Sequence, residues 1–182
     1  MKLHSTNNQF GLIAILLHWI MAIVIIGLFI LGKYMIDLDY YDSYYHIAPW
    51  WHKSLGLTLL FLLIVRLLWK LYSPKVLPIS SHTGLEVKLA TSMKFLLYIF
   101  MFTCCISGYL ISTAEDAGIS FFDWFDVPAL ISLGEAQSKL AGDIHEYSTT
   151  ILIVLAGLHL MAALKHHFIN KDKTLIKILN IK

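Results

Sequence analysis

Charge is what this chain has least of. Only 14% of its 182 residues are Asp, Glu, Lys or Arg, 58% are hydrophobic, and the mean hydropathy is +0.69. A soluble domain of this size has too little interior to hide so much apolar surface, so the composition excludes an ordinary water-soluble protein and implies an integral membrane protein. Cysteine is almost absent: Cys104 and Cys105 are adjacent, inside an apolar run. Neighbours on a helix project in different directions, which argues against a disulfide between them, and no CxxCH is present for a covalently attached haem. They read as two small buried apolar residues. A net charge of +2 gives no argument for a nucleic-acid partner. Internal repeats and low-complexity tracts are also lacking.

Long apolar runs are what the chain does have. Crossing a hydrocarbon core takes about 20 residues of helix, and four runs qualify: about 11–32, 50–72, 89–113 and 143–168. The first is too long for a signal-peptide core and lacks a small-residue cleavage site, so it reads as a true span. The expectation is an all-α, four-transmembrane-helix bundle forming a single domain over 1–182. With an even number of crossings, both termini and the loop between the second and third spans share one side. That side carries Lys2, Arg66, Lys70, Lys75, Lys88, Lys94, Lys165, Lys171, Lys173, Lys177 and Lys182, 11 of the 14 basic residues. The positive-inside rule makes it cytoplasmic. Ten of the 12 acidic residues and three basic ones fall on the opposite side, a net charge of −7. The long outer loop contains SFFDWFDVPALISL, where aromatics mixed with acids suggest either a short interfacial helix or a loop with an aromatic belt.

Four histidines lie within the spans and sort into two depths. His52 and His145 are near the outer ends of the second and fourth spans; His18 and His159 lie toward the cytoplasmic ends of the first and fourth. Fourteen residues separate His145 from His159. At about 100° per residue the two return to within about 40° of one helix face, roughly 21 Å apart along the axis. Thr149, Leu152, Ala156 and Gly157 lie on or near that face, Gly56 lies one turn after His52, and Ala14 lies one turn before His18. Small residues there leave room for a flat ligand. Ionisable residues inside spans are rare and usually functional. Two imidazoles on opposite sides of a planar macrocycle are bis-histidine haem ligation, suited to electron transfer because no iron position stays open. Zinc fits poorly, because it collects about four ligands at one point and these four are divided between two levels.

Other candidates have plainer readings. Arg66 follows His52 by fourteen residues and so shares its face at the inner level, where it either pairs with a haem propionate or snorkels to the headgroups. Met93 and Met101 read as packing, and the third span, which has no histidine, as a wall. His4, His46 and His82 read as loop or tail residues, although His46 is placed to compete with His52 as the outer ligand. At the cytoplasmic end of the fourth span, Lys165, His166 and His167 form either a set of basic anchors or part of a quinone pocket, with Trp19 as an apolar wall. His166 is the member expected to line such a pocket, being seven residues from His159 and near its face.

The segments LLHWIMAIVI, WHKSLGLTLLFLLIVRLLWKLY and DIHEYSTTILIVLAGLHLMAALKHHF, followed by KDKTLIKIL, resemble the bacterial cytochrome b561 family over nearly the whole chain. The resemblance implies a four-helix inner-membrane protein with two haem b groups, axially ligated by His18, His52, His145 and His159. It also implies passage of electrons to ubiquinone, with periplasmic superoxide as the most concrete donor and no obligatory partner protein. Two departures bear on this. The first outer loop, LGKYMIDLDYYDSYYHIAPWW, has three acids and one lysine where superoxide-reactive members carry arginines, and a net −7 face slows the approach of an anion. Lys53 and Lys139 are the local cations left to receive it. Second, Thr91 and Lys94 stand where such members have histidines. Two other functions compete: a cytochrome subunit relaying electrons from a docked dehydrogenase or hydrogenase, and a transporter using its histidines as proton relays.

Overall fold

A computed structural model describes residues 3–179; Lys2 and Lys182, counted in the charge argument, lie outside the described residues. Four long helices dominate: α1 (Leu12–Ile36), α2 (Ile47–Tyr72), α3 (Gly84–Ser112) and α4 (Glu135–Phe168). Each is long and apolar enough to cross a membrane, with an 18-residue stretch of mean hydropathy 2.8, 1.9, 1.9 and 1.8 in turn. The fold class is therefore as expected, and the helices outrun the expected stretches, α1 at its end and the other three at their starts. The membrane needs only the apolar stretch, but a helix continues until something stops it. α4 begins eight residues before the expected 143, at Glu135 after Gly134, and α3 begins at Gly84, where Thr83 and Glu86 form a reciprocal cap. Glu86 N–H donates to Thr83 Oγ1 at 3.3 Å and Thr83 N–H donates to Glu86 Oε2 at 3.0 Å, satisfying two donors the helix leaves open.

α3 packs along α4 and α1 along α2, with α2 also against α3. Met21, Leu28, Leu59, Leu63, Met101, Cys104 and Leu152 form the shared core, and both cysteines are free. Outward-facing Ile23, Ile30, Phe61 and Phe95 are each more than 60% exposed, as a lipid-facing surface requires.

One end of the bundle carries residues 3–11, the α2–α3 loop and the short helix α5 (Thr174–Leu179). These pieces are tied together. Leu77 N–H donates to Asn7 O at 2.8 Å, Trp19 Nε1–H to Ile178 O at 3.3 Å, and His4 stacks on Trp69 with ring centres 4.9 Å apart. Gly11, which caps α1, lies so close to the backbone of residues 3–5 that a Cβ there would overlap it. We call this the terminal end, and the other the loop end.

The loop end rules out one of the two alternatives left open by the sequence. SFFDWFDV forms no interfacial helix. β1 (Ile119–Phe121) and β2 (Phe125–Val127) pair antiparallel, with Phe121 opposite Phe125. Phe122 and Asp123 take φ values of 50° and 59°, which end any helix and turn the chain back. α2 holds the hairpin: Phe122 N–H donates to Ser54 Oγ at 3.2 Å and Trp50 Nε1–H to Asp123 Oδ1 at 3.0 Å.

Candidate functional site

The four span histidines come together as two pairs, each drawn from two helices. His52 of α2 and His145 of α4 have ring centres 6.3 Å apart; His18 of α1 and His159 of α4 have theirs 6.5 Å apart. All four are half-buried. His46, the competing outer residue, instead sits among Tyr40 and Tyr45 at the N-terminus of α2.

α3 contributes more than a wall. His145 Nδ1 lies 2.9 Å from Cys104 O and 3.2 Å from Ser107 Oγ. A carbonyl only accepts, so this ring carries its proton on Nδ1 and presents the lone pair of Nε2. Ser107 Oγ–H in turn donates to Thr103 O at 2.6 Å. Gly108 lets the ring in: a Cβ there would lie 2.9 Å from His145 Cε1, and one on Gly32 would lie 3.2 Å from His52 Cε1. His52 Nδ1 is buried with no hydrogen-bond partner among the described residues. At Gly56 and Gly157, by contrast, an added Cβ meets nothing within 4 Å, and Gly157 is exposed on the surface of the bundle. The roles of Gly32, Gly108 and Ser107 escaped sequence reasoning. The available signal was a serine and a glycine side by side in an otherwise apolar helix.

The inner pair has a charged neighbour. Arg66 Nη2 lies 3.2 Å from His18 Nδ1, Nη1 is 3.9 Å from Met21 Sδ, and the guanidinium stands 5.9 Å from the Tyr98 ring centre. Arginine only donates, so here His18 Nδ1 accepts and its proton sits on Nε2. Arg66 faces the inner level rather than the headgroups.

Past His159, the expected pocket residues have local partners. Lys165 Nζ pairs with Glu86 Oε1 at 3.1 Å, and Trp19 is held by α5. His166 Nδ1 lies 2.7 Å from Asp172 Oδ2, and His82 Nε2 lies 3.0 Å from the same oxygen. His82 is thus no idle loop residue. His167 Nδ1 is buried without a partner among the described residues. At the loop end, a cleft of about 490 Å³ is lined among others by Tyr45, His46, Trp50 and Lys53; neither His52 nor His145 lines it.

The sequence profile described as prokaryotic cytochrome b561 matches residues 9–180. This chain belongs to the prokaryotic cytochrome b561 family. It is 42% identical over 179 residues to "Cytochrome b561 homolog 2" of Escherichia coli (strain K12), covering 98% of this chain and 95% of that one. It is 27% identical over 174 residues to "Cytochrome b561 homolog 1" of the same organism, covering 94% and 97%. Membership of the cytochrome b561 family makes the chain a multi-pass membrane protein that binds haem b and transfers electrons.

The histidine pairs fit such a group. Two metal–nitrogen bonds of about 2 Å, with about 1 Å from each nitrogen back to its ring centre, place two axial imidazole centres about 6 Å apart. Both pairs have that spacing. His145 has the tautomer a ligand needs, held by a carbonyl as metal-bound histidines usually are.

Proposed function

We propose that this cytochrome b561 carries electrons across the bacterial inner membrane, from a donor on the periplasmic side to ubiquinone on the cytoplasmic side. Two haem b groups would serve as carriers, one between His52 and His145 and one between His18 and His159. The observation that carries the reading is the pair of matched ring spacings at two depths. Bound there, haem b supplies reversible one-electron chemistry in a low-dielectric slab, and two histidines per group leave no iron position open for a substrate. Orientation follows from charge, the terminal end being the basic, cytoplasmic one.

The chain's own residues then have distinct tasks. His145, fixed by Cys104 O and Ser107, holds its ring in the ligating tautomer without rearrangement. Arg66 pairs with a propionate of the inner group. Its contact with His18 Nδ1 leaves the His18 proton on Nε2, so ligation through Nε2 requires the guanidinium to turn away, and a propionate gives it a bidentate partner. At the loop end, Lys53, the residue after His52 in the sequence, offers an anionic donor a local cation on the cleft. Superoxide is the donor this suits best. Two superoxide anions release two electrons and leave two O₂; ubiquinone takes those electrons with two protons and becomes ubiquinol. At the terminal end, His166 supplies a proton to the quinone. Asp172 takes the Nδ1 side of its ring, which turns Nε2 to that task.

The test mixes purified, oxidised protein anaerobically with superoxide, follows haem absorbance, then adds ubiquinone. Reduction by superoxide and reoxidation by ubiquinone are expected, with His166→Ala slowing only the second step. No reduction by superoxide would overturn the donor assignment. An unchanged reoxidation rate in His166→Ala would move the quinone site elsewhere. If the chain instead serves as a subunit, a stoichiometric periplasmic dehydrogenase will co-purify with it.

A further inference from the structure

We infer that His82, His166 and Asp172 form a binding site for a divalent transition metal of the zinc class at the terminal end of the bundle. The three residues come from separate segments: the loop before α3, the last turn of α4 and the turn between α4 and α5. One donor atom from each lies within 4.8 Å of the others. Both imidazole nitrogens converge on the same carboxylate oxygen, Asp172 Oδ2, at 3.0 and 2.7 Å, and the two ring centres are 4.6 Å apart. The side chains are largely enclosed, with 14% exposure for each histidine and 6% for Asp172.

Two imidazoles and one carboxylate are a common ligand set for zinc, with a fourth position left for water or a further oxygen. Thr174 is placed to support that arrangement. Its N–H donates to Asp172 Oδ1 at 2.8 Å, which orients the carboxylate and leaves Oδ2 to point inward; its Oγ1 lies 3.3 Å from His82 Nε2. Metal binding asks little of the backbone. Ligand atoms around a tetrahedral ion with bonds of about 2 Å stand about 3.3 Å apart, so each nitrogen moves out from Asp172 Oδ2 by about half an ångström while the two nitrogens, within 4.8 Å of each other, draw together. The protons move to His82 Nδ1 and His166 Nε2. Lys171 and Lys173 flank Asp172 and oppose a cation, but both are exposed and screened by salt, whereas ligation is short-ranged. Lys165, the other nearby cation, is occupied by Glu86.

An ion here would fasten the end of α4 to the start of α3. The site shares His166 with the quinone proposal and does not depend on it, because binding can be measured on oxidised protein without quinone or donor. The experiment is equilibrium dialysis of tag-free, haem-loaded protein against Zn²⁺. One zinc per chain is expected, lost in His82→Ala and Asp172→Ala and kept in His4→Ala. The haem spectrum of each variant reports that the bundle is intact. X-ray absorption of the zinc-loaded protein is expected to show two imidazoles in the first shell. No bound zinc, zinc retained by both His82→Ala and Asp172→Ala, or a first shell without imidazole would overturn the site.

Discussion

Around His52 and His145 the protein places glycines, a serine and a backbone carbonyl; around His18 and His159 it places a guanidinium. The ring spacings are nearly the same, 6.3 and 6.5 Å, so the difference is not one of reach. At the outer level the ligating tautomer of His145 is already set by Cys104 O, and Gly32 and Gly108 bring the helices within contact of the rings. At the inner level Arg66 holds His18 in the opposite tautomer. At the outer level His145 is held by neutral groups, while His52 Nδ1 has no partner among the described residues. The inner pair has a polar neighbour, Arg66, which under the proposed ligation would exchange partners when a haem binds. The contrast teaches that matched pairs on shared helices need not be equally preorganised.

Several variants would break or sharpen this contrast. The largest effects are expected from the histidines themselves. His52→Ala or His145→Ala should remove one redox transition and leave the other, and His18→Ala or His159→Ala should remove the complementary one. A potentiometric titration of haem absorbance distinguishes them, and loss of the same transition in all four would dissolve the two-level picture. Gly108→Ala comes next. Its Cβ would lie 2.9 Å from His145 Cε1, against a ring fixed by two hydrogen bonds, and overpacking of this kind costs about 1–3 kcal/mol. Reduced haem content at the outer level alone is expected, with a milder loss from Gly32→Ala, where the distance is 3.2 Å.

Arg66→Met should then act on the inner level only. If Arg66 pairs with a haem propionate as proposed, losing that cation lowers the inner midpoint potential while the outer transition stays in place; a shift of the outer transition alone would contradict the assignment. Ser107→Ala is expected to do least. Cys104 O still accepts from His145 Nδ1, so the change removes one of two contacts, about 1 kcal/mol or less, read as a small drop in the thermal midpoint.

Much of this was legible in the sequence. Helical periodicity and apolar length define the four spans, because in lipid the helix is the one local structure that satisfies its own backbone. The depths of His18, His52, His145 and His159 follow from counting residues along those spans. Three features did not follow. The hairpin at Ile119–Val127 depends on Ser54 and Trp50 of α2, more than sixty residues away in sequence. The support of His145 by Cys104 O is a backbone contact that no side-chain pattern announces. His82 meets Asp172 only because the α2–α3 loop and the α4–α5 turn end at the same place, and a separation of 90 positions gives no local sign of it.

The central claim is that two levels of paired histidines each hold one haem b. The most direct measurement is the molar ratio of extractable haem b to purified, monodisperse protein, taken for the intact chain and for one variant at each level, His145→Ala and His18→Ala. Two haems per chain falling to one in each variant is the result expected. A ratio of one in the intact chain, or two retained in either variant, would contradict the claim.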